Sequence, residues 1–122
     1  MLNGEFSAWP LFDEEEANAV RDVLLSNRVS YWTGDECRRF EKEFATWTGA
    51  GYAVALSNGT VALEVALKAL DVSTGDEIIV TPRTFLASVS SIVTVGAVPV
   101  FVDVDPVSQN ITAETIETAI TD

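Results

Sequence analysis

Four consecutive residues, Ser57-Asn58-Gly59-Thr60, offer the chemistry an anion needs. They follow Tyr52–Leu56, an apolar stretch that reads as a strand, and they open a helix expected over Asn58–Leu70. Free backbone N–H groups, a glycine that permits close approach and a hydroxyl therefore gather at one helix N-terminus, an arrangement suited to phosphate. The same residues also suit a plain strand-to-helix turn with Asn58 or Thr60 as cap, and residue spacing leaves both readings open. The run is neither a Walker A loop nor a dinucleotide-binding glycine motif, because the glycine spacing differs and the lysine is missing.

Two further strand ends carry candidate groups, and in a parallel α/β sheet ligands lie beyond such ends. The first leads into Thr81-Pro82-Arg83-Thr84-Phe85. Phe85 can stack on a planar ring held by a phosphate at Gly59 and Thr60, or it can be an ordinary core phenylalanine. Arg83 can bind an anion or stand in solvent. Asp103 and Asp105 flank the other strand end; they suit acid/base chemistry or a metal, but Asp105-Pro106 is also a turn starter, and the turn is the better reading. Cys37 falls in an apolar helical stripe, which predicts a packed, inert thiol.

These groups need elements to hold them. Asp13 with Glu16 forms a capping-box pattern, so a helix starts there and ends near Ser26 or Asn27. Cys37, Phe40, Phe44 and Trp47 recur at helical spacing, predicting a second helix over Asp35–Trp47 closed by Gly49. From Tyr52 onward strands and helices alternate: strands over Tyr52–Leu56, Glu77–Thr81 and Val98–Val104, and helices over Asn58–Leu70, Thr84–Val95 and from Thr112 onward. The Asn58–Leu70 helix is apolar on nearly every side except Glu64 and Lys68, four apart in the favourable order for an ion pair, which predicts heavy burial. The fold class is thus α/β, a mostly parallel three-stranded sheet with flanking helices. Residues 1–50 form an arm, Met1–Leu11, and two helices; residues 51–122 form the start of a larger α/β domain.

Composition narrows the function further. The 122 residues are 48% hydrophobic, enough for one core, and carry a net charge of −12. That charge repels phosphate backbones and anionic lipid surfaces, so neither nucleic acid nor membrane is an expected partner. The uncharged run Thr84–Val102 is broken by Gly96 and Pro99 and reads as a helix followed by a strand, not a membrane span. A single cysteine and no leader pattern point to the cytoplasm. The chain has no histidine, which removes histidine triads and histidine metal sites, and no metal is expected.

Four ordered blocks then match a known pattern. They are Leu56-Ser57-Asn58-Gly59-Thr60-Val61-Ala62-Leu63, Gly75-Asp76-Glu77-Ile78-Ile79-Val80-Thr81-Pro82, Thr84-Phe85, and Gly96 to Pro106, with Trp32-Thr33-Gly34 and Phe40-Glu41-Lys42-Glu43-Phe44 upstream. Together they resemble the DegT/DnrJ/StrS family of sugar aminotransferases over nearly the whole chain. The resemblance implies a partial aspartate aminotransferase-like (fold type I) large domain and pyridoxal phosphate as cofactor. It further implies transfer of an amino group, usually from glutamate, to a nucleotide-linked keto sugar, in cell-surface polysaccharide or secondary-metabolite biosynthesis. The partners implied are the nucleotide-sugar substrate, the amino donor and, in the complete protein, a second copy forming a homodimer.

Residue by residue, the resemblance assigns Gly59 and Thr60 to the cofactor-phosphate cup, Asn58 to its turn, and Phe85 to stacking on the cofactor ring. It places Thr33 and Gly34 in a loop near the sugar substrate. Arg83 stands where many members carry an aromatic or small residue, which leaves the sugar nucleotide open. The family's covalent lysine, and the aspartate that pairs with the ring nitrogen, come after the third strand. The only lysines here are Lys42 and Lys68, neither at a strand end, so the chain is expected to be an amino-terminal part without catalytic residues and inactive alone. A same-family sugar dehydratase, with histidine at the lysine position, and a truncated non-catalytic binding or assembly module are the alternatives.

Overall fold

The computed structural model describes residues 9–121, so most of the expected arm, residues 1–8, lies outside the described residues. The chain divides into two compact units, Met1–Ala55 and Leu56–Asp122.

The first unit is built on two helices, α1 (Glu14–Leu25) and α2 (Glu36–Thr48). The capping box forms as its sequence dictates. Asp13 accepts from the Glu16 N–H at 2.9 Å while its own N–H donates to the Glu16 carboxylate at 3.0 Å. Helix α2 ends on Gly49 in the left-handed conformation, φ +72°, which a residue with a side chain rarely adopts. The aromatic stripe of α2 is real: Phe40, Phe44 and Trp47 follow one another with ring centres 5.7 Å apart at each step. It is not covered, however, and Cys37 on the same helix is exposed instead of packed. Ala45 is the buried residue of this helix.

The second unit contains α3 (Gly59–Ala69), β1 (Glu77–Val80), α4 (Ala87–Thr94), β2 (Val98–Phe101) and a short α5 (Ala113–Glu117). Strands β1 and β2 pair in parallel, with Ile78 opposite Pro99 and Ile79 opposite Val100. Helix α4 makes the crossover between them and packs on both strands and on α3. Ala87, Ile92, Ala97 and Val102 form the small buried core. Ser91, the one fully buried polar side chain there, donates back to the Ala87 carbonyl at 2.7 Å and so leaves nothing unsatisfied.

Several expectations are corrected. Among the described residues the sheet has two strands, not three. Residues 52–56 have no strand partner among the described residues, and the Ala55 N–H finds the Glu41 carboxylate, at 2.8 Å, in place of a neighbouring strand. Helix α3 contains no buried residue, and Leu63 is 43% exposed, because only α4 among the described elements packs closely on it. Glu64 and Lys68 form no ion pair among the described residues. Helix α4 starts at Ala87, three residues later than expected, because Thr84 and Phe85 are held in a turn by bonds to Ser88. Helix α5 spans 5 residues and stops at Glu117 instead of continuing. The uncharged run does divide into α4 and β2, and among the described residues no helix is long and apolar enough to cross a membrane.

Candidate functional site

At the start of α3 the cap forms, and it leaves in place the donors that the anion reading needs. Asn58 is extended, φ −169°, and its side-chain carbonyl accepts from the Val61 N–H at 3.0 Å. That bond caps the third helical position and leaves the N–H groups of Gly59 and Thr60 without an acceptor among the described residues. A Cβ built on Gly59 would meet no atom within 4 Å, so the space on the side-chain side of this glycine is open. The orphan donors and the positive end of the 11-residue helix α3 face the same way.

An open cleft of about 660 Å³ gathers Asn58, Gly59, Thr60 and Phe85, the four residues that the sequence named for one site. Phe85 is 78% exposed, which removes the core reading of this side chain. It sits on the turn just before α4, and its carbonyl accepts from the Ser88 N–H at 3.0 Å. Ala62 and Leu63 of α3 and Ala87 of α4 add apolar wall, and Ser88 adds a hydroxyl. Ser88 was not singled out from the sequence; its position three residues after Phe85, on one helical turn, is the signal that could have found it. Neither Lys42 nor Lys68 lines the cleft. Arg83 is exposed, its N–H donates to the Thr81 hydroxyl at 3.1 Å, and it forms no ion pair among the described residues.

Thr33 and Gly34 belong to the other unit, in the loop between α1 and α2. Side chains hold this loop from several directions. Arg28 donates to the Thr33 carbonyl at 2.7 Å, Arg38 to the Gly34 carbonyl at 3.0 Å, and the Ser30 and Thr33 hydroxyls pair at 2.9 Å. The Arg38 guanidinium also lies 4.8 Å from the centre of the Tyr31 ring, and the Tyr31 hydroxyl donates to Glu41 at 3.2 Å. Gly34 is buried, and a Cβ there would overlap the Arg28 carbonyl oxygen. Only glycine fits.

Asp103 and Asp105 do what turn residues do. Asp103 accepts from the Val104 N–H, and Asp105 accepts from the N–H groups of Val107 and Ser108. The Ser108 backbone and hydroxyl, with Val107, hold the Asp105 carboxyl below the usual carboxylate range. No cluster of acidic, cysteine or histidine side chains among the described residues is placed to hold a metal.

The family model described as DegT/DnrJ/EryC1/StrS aminotransferase matches residues 10–122. The chain belongs to this family. A solved relative, the aminotransferase from Psychrobacter cryohalolentis, is 61% identical with a TM-score of 0.91, over 96% of this chain and 30% of that one. The 3-amino-5-hydroxybenzoate synthase of Amycolatopsis mediterranei is 42% identical over 96% of this chain and 30% of its own length. The Spr1654 protein of Streptococcus pneumoniae, solved in a PLP form, is 37% identical with a TM-score of 0.81, over 92% of this chain and 28% of that one. The parallel α/β arrangement is therefore part of a fold type I domain of this family. The chain spans about three-tenths of the length of these relatives.

Proposed function

We propose that this chain is part of a pyridoxal-phosphate aminotransferase and supplies the cup that holds the cofactor's phosphate and the aromatic that lies on its ring. The observation that supports this reading best is the gathering of Asn58, Gly59, Thr60 and Phe85 in one cleft. The residues present fit the group. Two orphan backbone donors and the Thr60 hydroxyl suit a phosphate, and an exposed, flat Phe85 suits a pyridine ring. When bound, pyridoxal phosphate supplies an electron-withdrawing ring that stabilises negative charge at the carbon bearing the amino group.

The roles of the chain's own residues follow from their positions. Gly59 and Thr60 bind through backbone N–H groups, Asn58 keeps that first helical turn open by capping a later position, and Phe85 orients the ring and excludes water from one face. We assign the amino acceptor as a nucleotide-linked keto sugar and the donor as glutamate. The Thr33-Gly34 loop contributes on the sugar side, in a homodimer working in the cytoplasm. No proton-transferring base is assigned to these residues, because neither lysine lines the cleft.

Thr60→Val in the complete protein tests the cup. It removes a hydroxyl from a charged acceptor, worth about 1.5–3 kcal/mol of cofactor binding. Absorbance titration with pyridoxal phosphate should show the corresponding loss, and unchanged affinity would overturn the assignment. Mass spectrometry of nucleotide-linked keto sugars incubated with the complete protein and glutamate should show an aminated product. The 122-residue chain alone should give none.

A further inference from the structure

The cleft has a second polar group that the phosphate cup does not use. Ser88, the second residue of α4, lies on its wall, and its N–H bond to the Phe85 carbonyl, 3.0 Å, ties it to the turn that carries the aromatic. Its hydroxyl stands 3.0 Å from the Thr84 hydroxyl, and either can be the donor. A hydroxyl pair of this kind is adaptable. When Thr84 donates, Ser88 keeps its proton free to give, and when Ser88 donates, both of its lone pairs are free to accept. The rest of the wall is apolar apart from the start of α3. The cleft thus has two polar stations, one at the first turn of α3 and one beside Phe85.

We propose that Ser88 is a further cofactor-binding residue, hydrogen-bonding the polar edge of the ring that lies on Phe85, with Thr84 as the positioning residue that orients its hydroxyl. This rests on the cofactor reading of the same cleft. Pyridoxal phosphate carries a ring hydroxyl that ionises, and a partner able to donate or accept matches both of its forms. Leaving the hydroxyl unpaired against an apolar wall would cost affinity.

The test uses pyridoxal 5′-phosphate and the full-length protein, reading both the dissociation constant and the position of the cofactor's absorption maximum. Ser88→Ala should weaken binding about three- to tenfold, the effect of one neutral hydrogen bond, and displace the absorption maximum. Ser88→Thr, which keeps the hydroxyl, should restore both. Thr84→Val leaves Ser88 in place and should displace the maximum with a smaller loss of affinity; it carries the test if Ser88→Ala does not fold. Wild-type affinity and spectrum in Ser88→Ala, or an undisplaced maximum in Thr84→Val, would overturn the proposal. If Thr60→Val loses affinity in the same series, the cofactor reading stands without Ser88. If Thr60→Val and Ser88→Ala both behave as wild type, both readings fall.

Discussion

The two units hold their candidate binding residues by different means. In the Leu56–Asp122 unit the donors are backbone groups at a helix start, and the cap that frees them is a single local bond from Asn58 to Val61. In the Met1–Ala55 unit the Thr33-Gly34 loop is fixed by side chains reaching from elsewhere: Arg28, Arg38 and, through Tyr31, Glu41. A site made of backbone is specified by a short local pattern. A loop held by long side chains depends on several residues being right together, so it should be the more easily broken by a single substitution.

All three tryptophans, Trp9, Trp32 and Trp47, lie in the first unit, so their fluorescence isolates its stability from that of the second. The largest effect is expected from Gly34→Ala, whose Cβ would overlap a backbone carbonyl that cannot swing aside. It should cost about 1–3 kcal/mol, seen as a lower urea midpoint by tryptophan fluorescence. A wild-type midpoint would mean that the loop is not gripped as closely as the bonds around it imply.

Glu41→Ala comes next. It leaves the Tyr31 hydroxyl and the Ala55 N–H without their partner and should cost about 1–2 kcal/mol by the same measurement. Glu41→Gln should recover most of this, since an amide can accept from Ala55 and donate to the Tyr31 oxygen. Equal losses in both variants would show that charge, not hydrogen-bond geometry, does the holding.

The smallest effect belongs to the second unit. The folded Asp105 carboxyl titrates below its ordinary value, about 3.9 in an unfolded chain, so its turn bonds contribute fully above that pH. The contribution is lost as pH falls through the lower, folded value. The Val107 and Ser108 amide resonances should follow that titration, and resonances that do not move would remove the turn's dependence on charge.

What the sequence made legible was local. The capping box at Asp13, the glycine stop at Gly49, the helix start at Asn58 and the turn at Asp105 each depend on residues within a few positions of one another. Their physics is complete within that window. The grouping of Asn58, Gly59 and Thr60 was legible for the same reason, and Phe85 was placed beside them through its position just past a strand end. What failed depended on what lies alongside. A strand needs a neighbour, and Tyr52–Leu56 has none among the described residues. The apolar surfaces of α3 and of the Cys37 stripe describe a capacity for burial, and only a covering element turns that into burial. Glu41 was quoted only as part of a family pattern. Its bonds to Tyr31 and Ala55 span 10 and 14 positions, and no periodicity announces them.

The cleft at the start of α3 has one more property. None of the residues that line it can gain or lose a proton near neutral pH. A chain of net charge −12 thus offers an anion a place where attraction comes from fixed peptide dipoles and not from basic side chains. Such a receptor brings no titration of its own. On the proposed cofactor reading, the acidity at which these lining residues hold a phosphate would be dictated by the guest's ionisation, since none of them changes charge.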